Sequence, residues 1–252
     1  MSSAGALAGR VALVTGATGT IGQRVCAQLA DAGARVIAQY RSSSVVVEQF
    51  TAGTSHIAVR ADFAQPDWAA ALTEAVVLAG RVDILVNSAH PAAGTARAAE
   101  QSVDLLRAHL EAVVLHSELC ALVVPGMRRL GWGRIVFVSG ALTVRPAEGR
   151  AAYAAAKSAA ETLTRYLAWE EGRAGINANI VAPGRVVDPL EPEPELLPEW
   201  AELARDLVGR TSLGRFPTPD EVAHAVVALA RPESSVITGQ TVRVTGGEAL
   251  WS

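Results

Sequence analysis

Tyr153 and Lys157 carry the most evident chemistry in the sequence, within the stretch AAYAAAKSAA. Residues four apart share one face of a helix, so the phenol and the ammonium would face the same site. A nearby ammonium favours the phenolate and lowers the pKa of a tyrosine from its usual value of about 10. The spacing therefore predicts a tyrosine that acts as a general acid or base, assisted by the lysine.

A glycine-rich turn lies near the start of the chain, in VALVTGATGTIGQRV. Gly16, Gly19 and Gly22 stand between a predicted strand and a predicted helix. Glycines there let the backbone approach a pyrophosphate, and the helix N-terminus offers free N–H groups. The turn predicts a dinucleotide site; the alternative is a tight turn that binds no ligand.

The end of the second predicted strand, VIAQYRSSS, indicates which dinucleotide would bind. A site selective for NAD has an acidic residue here, whereas this chain has Tyr40, Arg41 and Ser42. Arginine can pair with a 2′-phosphate and serine can donate to it, which favours NADP(H). An arginine on a solvated loop is the alternative.

Short β-branched segments alternate with longer stretches of helical period, which is typical of an α/β fold with a doubly wound parallel sheet and helices on both faces. We expect a single domain over residues 1–252. The strand candidates are RVALVTG, ARVIAQY, HIAVRAD, VDILVNSA, GRIVFVSG, INANIVAPG and TVRVTGG. The predicted helices span 21–32, 67–79, 102–129, 151–171 and 219–230.

Composition excludes several function classes. The formal charge of 22 − 25 = −3 includes no basic run, so we expect no nucleic-acid partner. We find neither a signal peptide nor an apolar run of roughly 18 residues, and we expect a cytoplasmic protein without a membrane partner. Cys26 and Cys120 are interpreted as buried apolar residues rather than a disulfide or a metal site, and no metal site is predicted.

With the motifs VDILVNSA, VAPG and ITGQTVRVTGG in order after the glycine turn, nearly the whole chain resembles the short-chain dehydrogenase/reductase family. The resemblance implies a Rossmann-type sheet, a nicotinamide cofactor, a homodimer or homotetramer, and hydride transfer between the cofactor and a small-molecule carbonyl or alcohol. It also implies that Lys157 contacts the cofactor ribose. The implied cofactor-binding residues are Gly16, Thr18, Gly19, Thr20, Ile21, Gly22, Tyr40, Arg41, Ser42, Asp62, Phe63, Asn87, Ala89, Tyr153, Lys157, Pro183, Gly184 and Val186.

Two expected polar side chains are missing. The family's catalytic serine lies thirteen residues before the tyrosine, where this chain has Gly140. Ser139 could replace it only if the strand end is irregular, because a shift of one residue turns the side chain to the opposite face. We predict Ser139 as a catalytic residue on that condition. Ala112 replaces the family's relay asparagine, and His116, one turn further on, could carry protons or be a packed residue.

Further departures surround the predicted substrate. His90 replaces the glycine that ends the family's Asn-Asn-Ala-Gly motif, and Asp188 stands where a threonine usually faces the cofactor. Asp188 could repel phosphates, point away, or pair with Arg185. Residues 186–212 contain four prolines before Trp200 and are predicted to form a lid. The predicted substrate-binding residues are His90, Gly140, Leu196 and Trp200.

Three functions are compatible with this pattern. The leading one is an NADP(H)-dependent oxidoreductase of the ketoreductase or alcohol dehydrogenase type, with Tyr153 as general acid/base. A second is altered non-redox chemistry of isomerase, cyclase or lyase type, suggested by Gly140 and Ala112. A third is a catalytically silent partner subunit that keeps the fold for its interfaces.

Overall fold

The computed structural model describes residues 5–42, 45–91, 93–189 and 205–248. Seven parallel strands form one sheet in the order β3-β2-β1-β4-β5-β6-β7. Each predicted strand segment contains one of them. The strands are β1 Val11–Thr15, β2 Arg35–Tyr40, β3 Ile57–Arg60, β4 Ile84–Asn87, β5 Gly133–Val138, β6 Ile176–Pro183 and β7 Thr241–Val244.

Helices connect the strands, and the predicted ones are confirmed to within one residue at each end. The α-helices that lie wholly within the described residues are α1 Thr20–Asp31, α2 Val45–Thr51, α3 Trp68–Ala79, α4 Val103–Leu130, α5 Ala151–Glu171 and α6 Pro219–Ala230. The sequence did not predict α2, because seven residues give only two turns and too few positions to establish a helical period.

The sheet is covered on both faces, as the continuous apolar strands predicted. Successive side chains of a strand point to opposite faces. On β1, Ala12 and Val14 pack in one core with residues of α1 and α6, whereas Val11 and Leu13 pack in the other with residues of α3 and α4. This arrangement confirms the Rossmann-type, doubly wound, single-domain fold.

The carboxyl edge of the sheet is where a ligand would bind. β1 and β4 are neighbours, yet the chain leaves β1 towards β2 and leaves β4 towards β5. The connections after the two strands therefore diverge and leave a crevice at their carboxyl ends, where Thr15 is paired with Asn87. The candidate residues Gly16, Arg41 and Gly140 follow strand ends at this edge.

Among the described helices, α4 is long and apolar enough to cross a bilayer, with a mean hydropathy of 1.5 in its most apolar window. Its apolar face is used within the fold, because Leu119, Val123 and Met127 are fully buried in the core shared with the sheet. Burial in the core therefore accounts for the composition of this helix.

Both cysteines are buried and unpaired, which confirms the interpretation of Cys26 and Cys120 as packed residues. Burial raises the pKa of each thiol to about 12. Neither cysteine forms the reactive thiolate near neutral pH.

Candidate active site

The glycine turn joins β1 to α1 and leaves no room for side chains. A methyl carbon placed on Gly22 would overlap the carbonyl oxygen of Gly16. Gly16 has φ +67°, and a methyl carbon there would lie 3.1 Å from the Ala89 backbone nitrogen. No side chain caps α1 at Gly19, and its first turn has no acidic residue. The first turn of α1 therefore suits the pyrophosphate of a dinucleotide.

Gln39 holds this turn in place, and sequence reasoning missed it. Its side chain is 2% exposed, accepts from the Gly16 backbone nitrogen at 2.8 Å and donates to the Ala61 carbonyl oxygen at 2.6 Å. One amide thus ties the turn to the connection that follows β3. The signal was a polar residue inside the buried strand VIAQY.

Two arginines lie at the carboxyl ends of neighbouring strands, beside the glycine turn. Tyr40 is half-buried at the end of β2, and Arg41 and Ser42 follow it on the surface. Arg60, at the end of β3, is paired in register with Tyr40, and its Nε donates to the Arg41 carbonyl oxygen at 3.3 Å. Arg60 was not predicted as a cofactor residue, because the sequence argument considered only the end of the second strand and not that of the third.

The rest of the predicted cofactor cleft is formed by short connections after strands. Asp62 accepts from the Ala64 backbone nitrogen at 3.1 Å, and Phe63 lies edge-on to Trp68 with ring centres 5.3 Å apart. Across the cleft, a methyl carbon on Gly184 would lie 3.3 Å from the Thr245 Cα. Thr18, Ile21, Ala89, Pro183 and Val186 also line these turns at the carboxyl edge.

Asp188 forms an ion pair with α1. Its Oδ2 lies 3.2 Å from Arg24 Nη2, and its side chain is 9% exposed. An arginine partner offsets the negative charge that would otherwise repel phosphates. The residue therefore links the segment after β6 to the helix that follows the glycine turn.

Asn87 supports the crevice from within. It accepts from Thr15 Oγ1 at 2.8 Å, and its Nδ2 lies 3.1 Å from His116 Nδ1, while the side chain is 1% exposed. His116 Nε2 lies 3.0 Å from Thr164 Oγ1, which donates to Ala160. Both the oxygen and the nitrogen of the Asn87 amide therefore have partners inside the protein, and the side chain helps to hold the crevice in shape.

His116 is a packed residue. Both ring nitrogens have protein partners, and the side chain is fully buried. Burial, with the nearby Lys157, lowers its pKa to about 4. The neutral ring has no nitrogen left for a ligand, so the packed alternative describes it better than proton transfer does.

Tyr153 and Lys157 lie one turn apart on α5, as predicted. Lys157 is 3% exposed, donates to the Val138 carbonyl oxygen at 2.7 Å, and has its Nζ 5.7 Å from the Tyr153 ring centre. Burial lowers the pKa of Lys157 to about 7, against the Glu161 carboxylate, which raises it. Burial raises the pKa of Tyr153, against Arg150, which lowers it. The expected lowering of the tyrosine pKa is wrong for the protein alone, because burial is the largest cause and raises it.

The prediction that Ser139 replaces the missing serine is wrong. Its side chain is 3% exposed, and Oγ donates to Glu161 Oε1 at 2.6 Å. Position 140 faces the tyrosine, since a methyl carbon on Gly140 would lie 3.0 Å from the Tyr153 hydroxyl oxygen. The chain is still extended here, so neighbouring residues point to opposite sides. Ser139 supports Glu161.

His90 lies beside the tyrosine, where a substrate-binding residue was expected. Its ring centre is 4.8 Å from that of Tyr153, with the planes at 72°. Its Nε2 lies 3.1 Å from Nδ1 of His109, a buried residue of α4 that sequence reasoning missed. The sequence did contain a signal for His109. It lies three residues before Ala112, so both lie on one face of α4, and Ala112 is the buried position where the family has a polar asparagine.

A cavity of about 580 Å³ lies beside the first turn of α5, and its lining does not include Tyr153. Leu142 and Pro146 line one side, and Arg150 and Ala154 of the Tyr153 helix line the other. A second cavity, of about 340 Å³, includes Trp132 and Asn177 near the amino ends of β5 and β6 and contains no candidate residue. Leu196, Trp200 and residues 190–204 of the predicted lid lie outside the described residues.

Comparisons with known proteins agree with this geometry. The family model described as enoyl-(acyl carrier protein) reductase matches residues 16–248. The chain belongs to the short-chain dehydrogenase/reductase family. The 3-oxoacyl-[acyl-carrier-protein] reductase FabG of Vibrio cholerae is 32% identical, over 96% of this chain and 98% of that protein. The (2S)-[(R)-hydroxy(phenyl)methyl]succinyl-CoA dehydrogenase subunit BbsD of Thauera aromatica is also 32% identical, over 96% and 98%.

A solved structure of a short-chain dehydrogenase/reductase shows the same fold over almost the whole chain. The crystal structure of a putative betaketoacyl-ACP reductase superposes with a TM-score of 0.83, at 33% identity, covering 96% of this chain and 98% of that one. Oxidoreductases of this family use nicotinamide cofactors, and no side chain caps the first turn of α1, where the pyrophosphate of such a cofactor would lie.

The effect of burial on the pKa of Lys157 can be tested, because Lys157 is the only lysine in the chain and its signal needs no assignment. Its pKa in the folded protein, about 7, lies below its ordinary value of 10.5. Between these pH values the unfolded chain holds a proton that the folded chain lacks, so raising the pH stabilises the fold. This contribution is lost as the pH falls from 10.5 to 7.

We therefore expect Lys157→Met to gain stability relative to the wild type as the pH falls. Between pH 10.5 and pH 7 the free energy of unfolding of the variant should rise by about 4–5 kcal/mol relative to that of the wild type. Chemical denaturation at several pH values measures it, and the single lysine side-chain NMR signal reports the pKa directly. A difference that does not vary with pH, or a lysine signal that titrates near 10, would contradict the burial argument.

Proposed function

We propose that the protein is an NADP(H)-dependent oxidoreductase that acts on a ketone or a secondary alcohol in the cytoplasm. One observation carries the proposal: a single edge of the sheet brings together the glycine turn with its uncapped helix, Arg41 and the Tyr153–Lys157 pair. The turn would hold the pyrophosphate, while Arg41, Ser42 and Arg60 would meet the 2′-phosphate.

The chemistry of the pair favours reduction near neutral pH. When bound, NADPH supplies hydride to the substrate carbonyl carbon. Burial raises the pKa of Tyr153, so its phenol stays protonated and can donate a proton to the carbonyl oxygen. Lys157, with a pKa of about 7, can carry a proton under the same conditions and stabilise the phenolate that remains.

The cavity beside the first turn of α5 suggests a substrate with an apolar body. Leu142, Pro146 and Ala154 provide apolar surface, and Arg150 adds a positive charge. Two of the relatives are a 3-oxoacyl-[acyl-carrier-protein] reductase and a (2S)-[(R)-hydroxy(phenyl)methyl]succinyl-CoA dehydrogenase subunit. We propose a ketone of this broad kind, carried through the cavity to Tyr153.

Cofactor selectivity is the first experiment. We expect the wild type to bind NADPH about 100-fold more tightly than NADH, and Arg41→Asp to lose that preference, because a carboxylate repels the 2′-phosphate and accepts from a ribose hydroxyl. Fluorescence titration of the reduced nicotinamide measures both affinities. Arg129→Asp, at the opposite end of the molecule and equally exposed, is the matched control. Equal affinities in the wild type would refute NADP selectivity, and binding of neither cofactor would refute the oxidoreductase proposal.

A second candidate function is a catalytically silent or altered subunit, which the missing side chains at Gly140 and Ala112 favour. The helices α4 and α5 pack together, and α5 exposes Tyr166 at 63% and Trp169 at 87%. We propose this surface as the interface of a homodimer or homotetramer, which could equally accept a related subunit. Turnover that appears only after a second family member is added would favour the silent subunit. Substrate conversion without cofactor oxidation would favour non-redox chemistry.

A further inference from the structure

The hydrogens of the His90–His109 pair are fixed by a backbone carbonyl. His109 Nε2 lies 3.1 Å from the carbonyl oxygen of Gly94, which can only accept, so Nε2 carries the hydrogen. In the neutral ring, His109 Nδ1 is then an acceptor. It lies 3.1 Å from His90 Nε2, which must donate to it. The remaining nitrogen, His90 Nδ1, is left as an acceptor.

His90 Nδ1 is buried and has no hydrogen-bond partner among the described residues. A buried acceptor without a donor costs free energy, so such atoms in native proteins usually have a function or a ligand. The opposite tautomer does not relieve the cost, because it would place the His109 Nε2 lone pair against the Gly94 carbonyl oxygen.

The surroundings keep His90 neutral. Burial is the main cause that lowers its pKa, to about 3, and the positive charge of Lys157 acts in the same direction. Tyr153 meets the ring edge-on and adds no negative charge while its phenol is protonated. A proton passed along the pair would end at the Gly94 carbonyl, which does not release it. The pair is therefore an acceptor and not a proton relay.

We propose that His90, oriented by His109, selects substrates that carry a hydroxyl or N–H donor close to the reacting carbon, such as hydroxyketones. This inference rests on the proposed function and names its substrate class. His90 contacts the substrate donor through Nδ1. His109 is a positioning residue, since it touches His90 and not the ligand.

NMR of the ¹⁵N-histidine-labelled protein tests the acceptor directly, because the chain has only five histidines. We expect His90 to carry its hydrogen on Nε2 and to stay neutral down to pH 5. Adding 2-hydroxyacetophenone should shift the Nδ1 signal, whereas acetophenone should not. A hydrogen on Nδ1, an imidazolium near neutral pH, or no shift with the hydroxyketone would overturn the proposal.

Kinetics with the same two ketones and NADPH test the selection. We expect a wild-type preference for 2-hydroxyacetophenone of about tenfold in kcat/KM, and none in His90→Phe. His109→Asn keeps an acceptor oxygen for His90 Nε2 and should retain most of the preference, whereas His109→Leu should lose it. His224→Phe, an exposed histidine on α6, is the control.

The two proposals fail separately. If neither NADPH nor NADH binds, the oxidoreductase proposal fails, while the NMR shift with the hydroxyketone still decides the acceptor. If both ketones are reduced equally by the wild type, the acceptor proposal fails and the oxidoreductase proposal stands.

Discussion

Tyr153→Phe is expected to lower kcat by about 10²–10⁴-fold, because the phenol is the group placed to exchange a proton with the substrate oxygen. NADPH affinity should change little, since the variant keeps the ring and removes only the hydroxyl. Single-turnover oxidation of NADPH with excess ketone measures the chemical step, and fluorescence titration measures cofactor binding.

Tyr166→Phe is the matched control, since this tyrosine lies on the same helix and the variant also loses only a hydroxyl while keeping the ring at the proposed interface. It should retain wild-type turnover. Unchanged turnover in Tyr153→Phe would contradict both the oxidoreductase and the non-redox alternatives, since both use this phenol. The turnover would then have to come from another group of the site.

Gly140→Ser is expected to raise kcat, by as much as about 10²–10³-fold if the new hydroxyl reaches the substrate oxygen. Position 140 faces the reacting phenol, since a methyl carbon there would lie 3.0 Å from the Tyr153 hydroxyl oxygen. That contact is tight, so the end of the Tyr153 side chain must shift by a few tenths of an ångström. Steady-state kcat with the ketone used for Tyr153→Phe is the measurement.

Gly140→Ala separates the hydroxyl from the crowding that any side chain causes. It adds the same carbon without a donor and should leave kcat unchanged or lower it. If Gly140→Ser falls with Gly140→Ala, the tyrosine has no room to adjust and the site works without a second donor. A rise in Gly140→Ser alone would identify the lost donor as the main limit on the rate.

The sequence by itself determined the sheet, its helices and the edge that carries the site. Short apolar strands such as VALVT alternate with stretches of helical period, and this alternation, which local period alone shows, predicts a parallel sheet with helices on both faces. The glycine turn was also predictable from the sequence, because the contact that requires glycine is local: Gly22 packs against the carbonyl oxygen of Gly16, six residues earlier. Tyr153 and Lys157 were found for the same reason, as their relation is one turn of a helix.

The tertiary structure alone decided which side chains are free to act. Ser139 is bound to Glu161, twenty-two residues away, and Asp188 is paired with Arg24, on a helix near the start of the chain. His109 became visible only when α4 placed it against His90. The pKa of Tyr153 rises instead of falling because burial depends on every element around it. Local period tells which face a residue occupies, but hydrogen bonds and desolvation arise between segments that only the fold brings together.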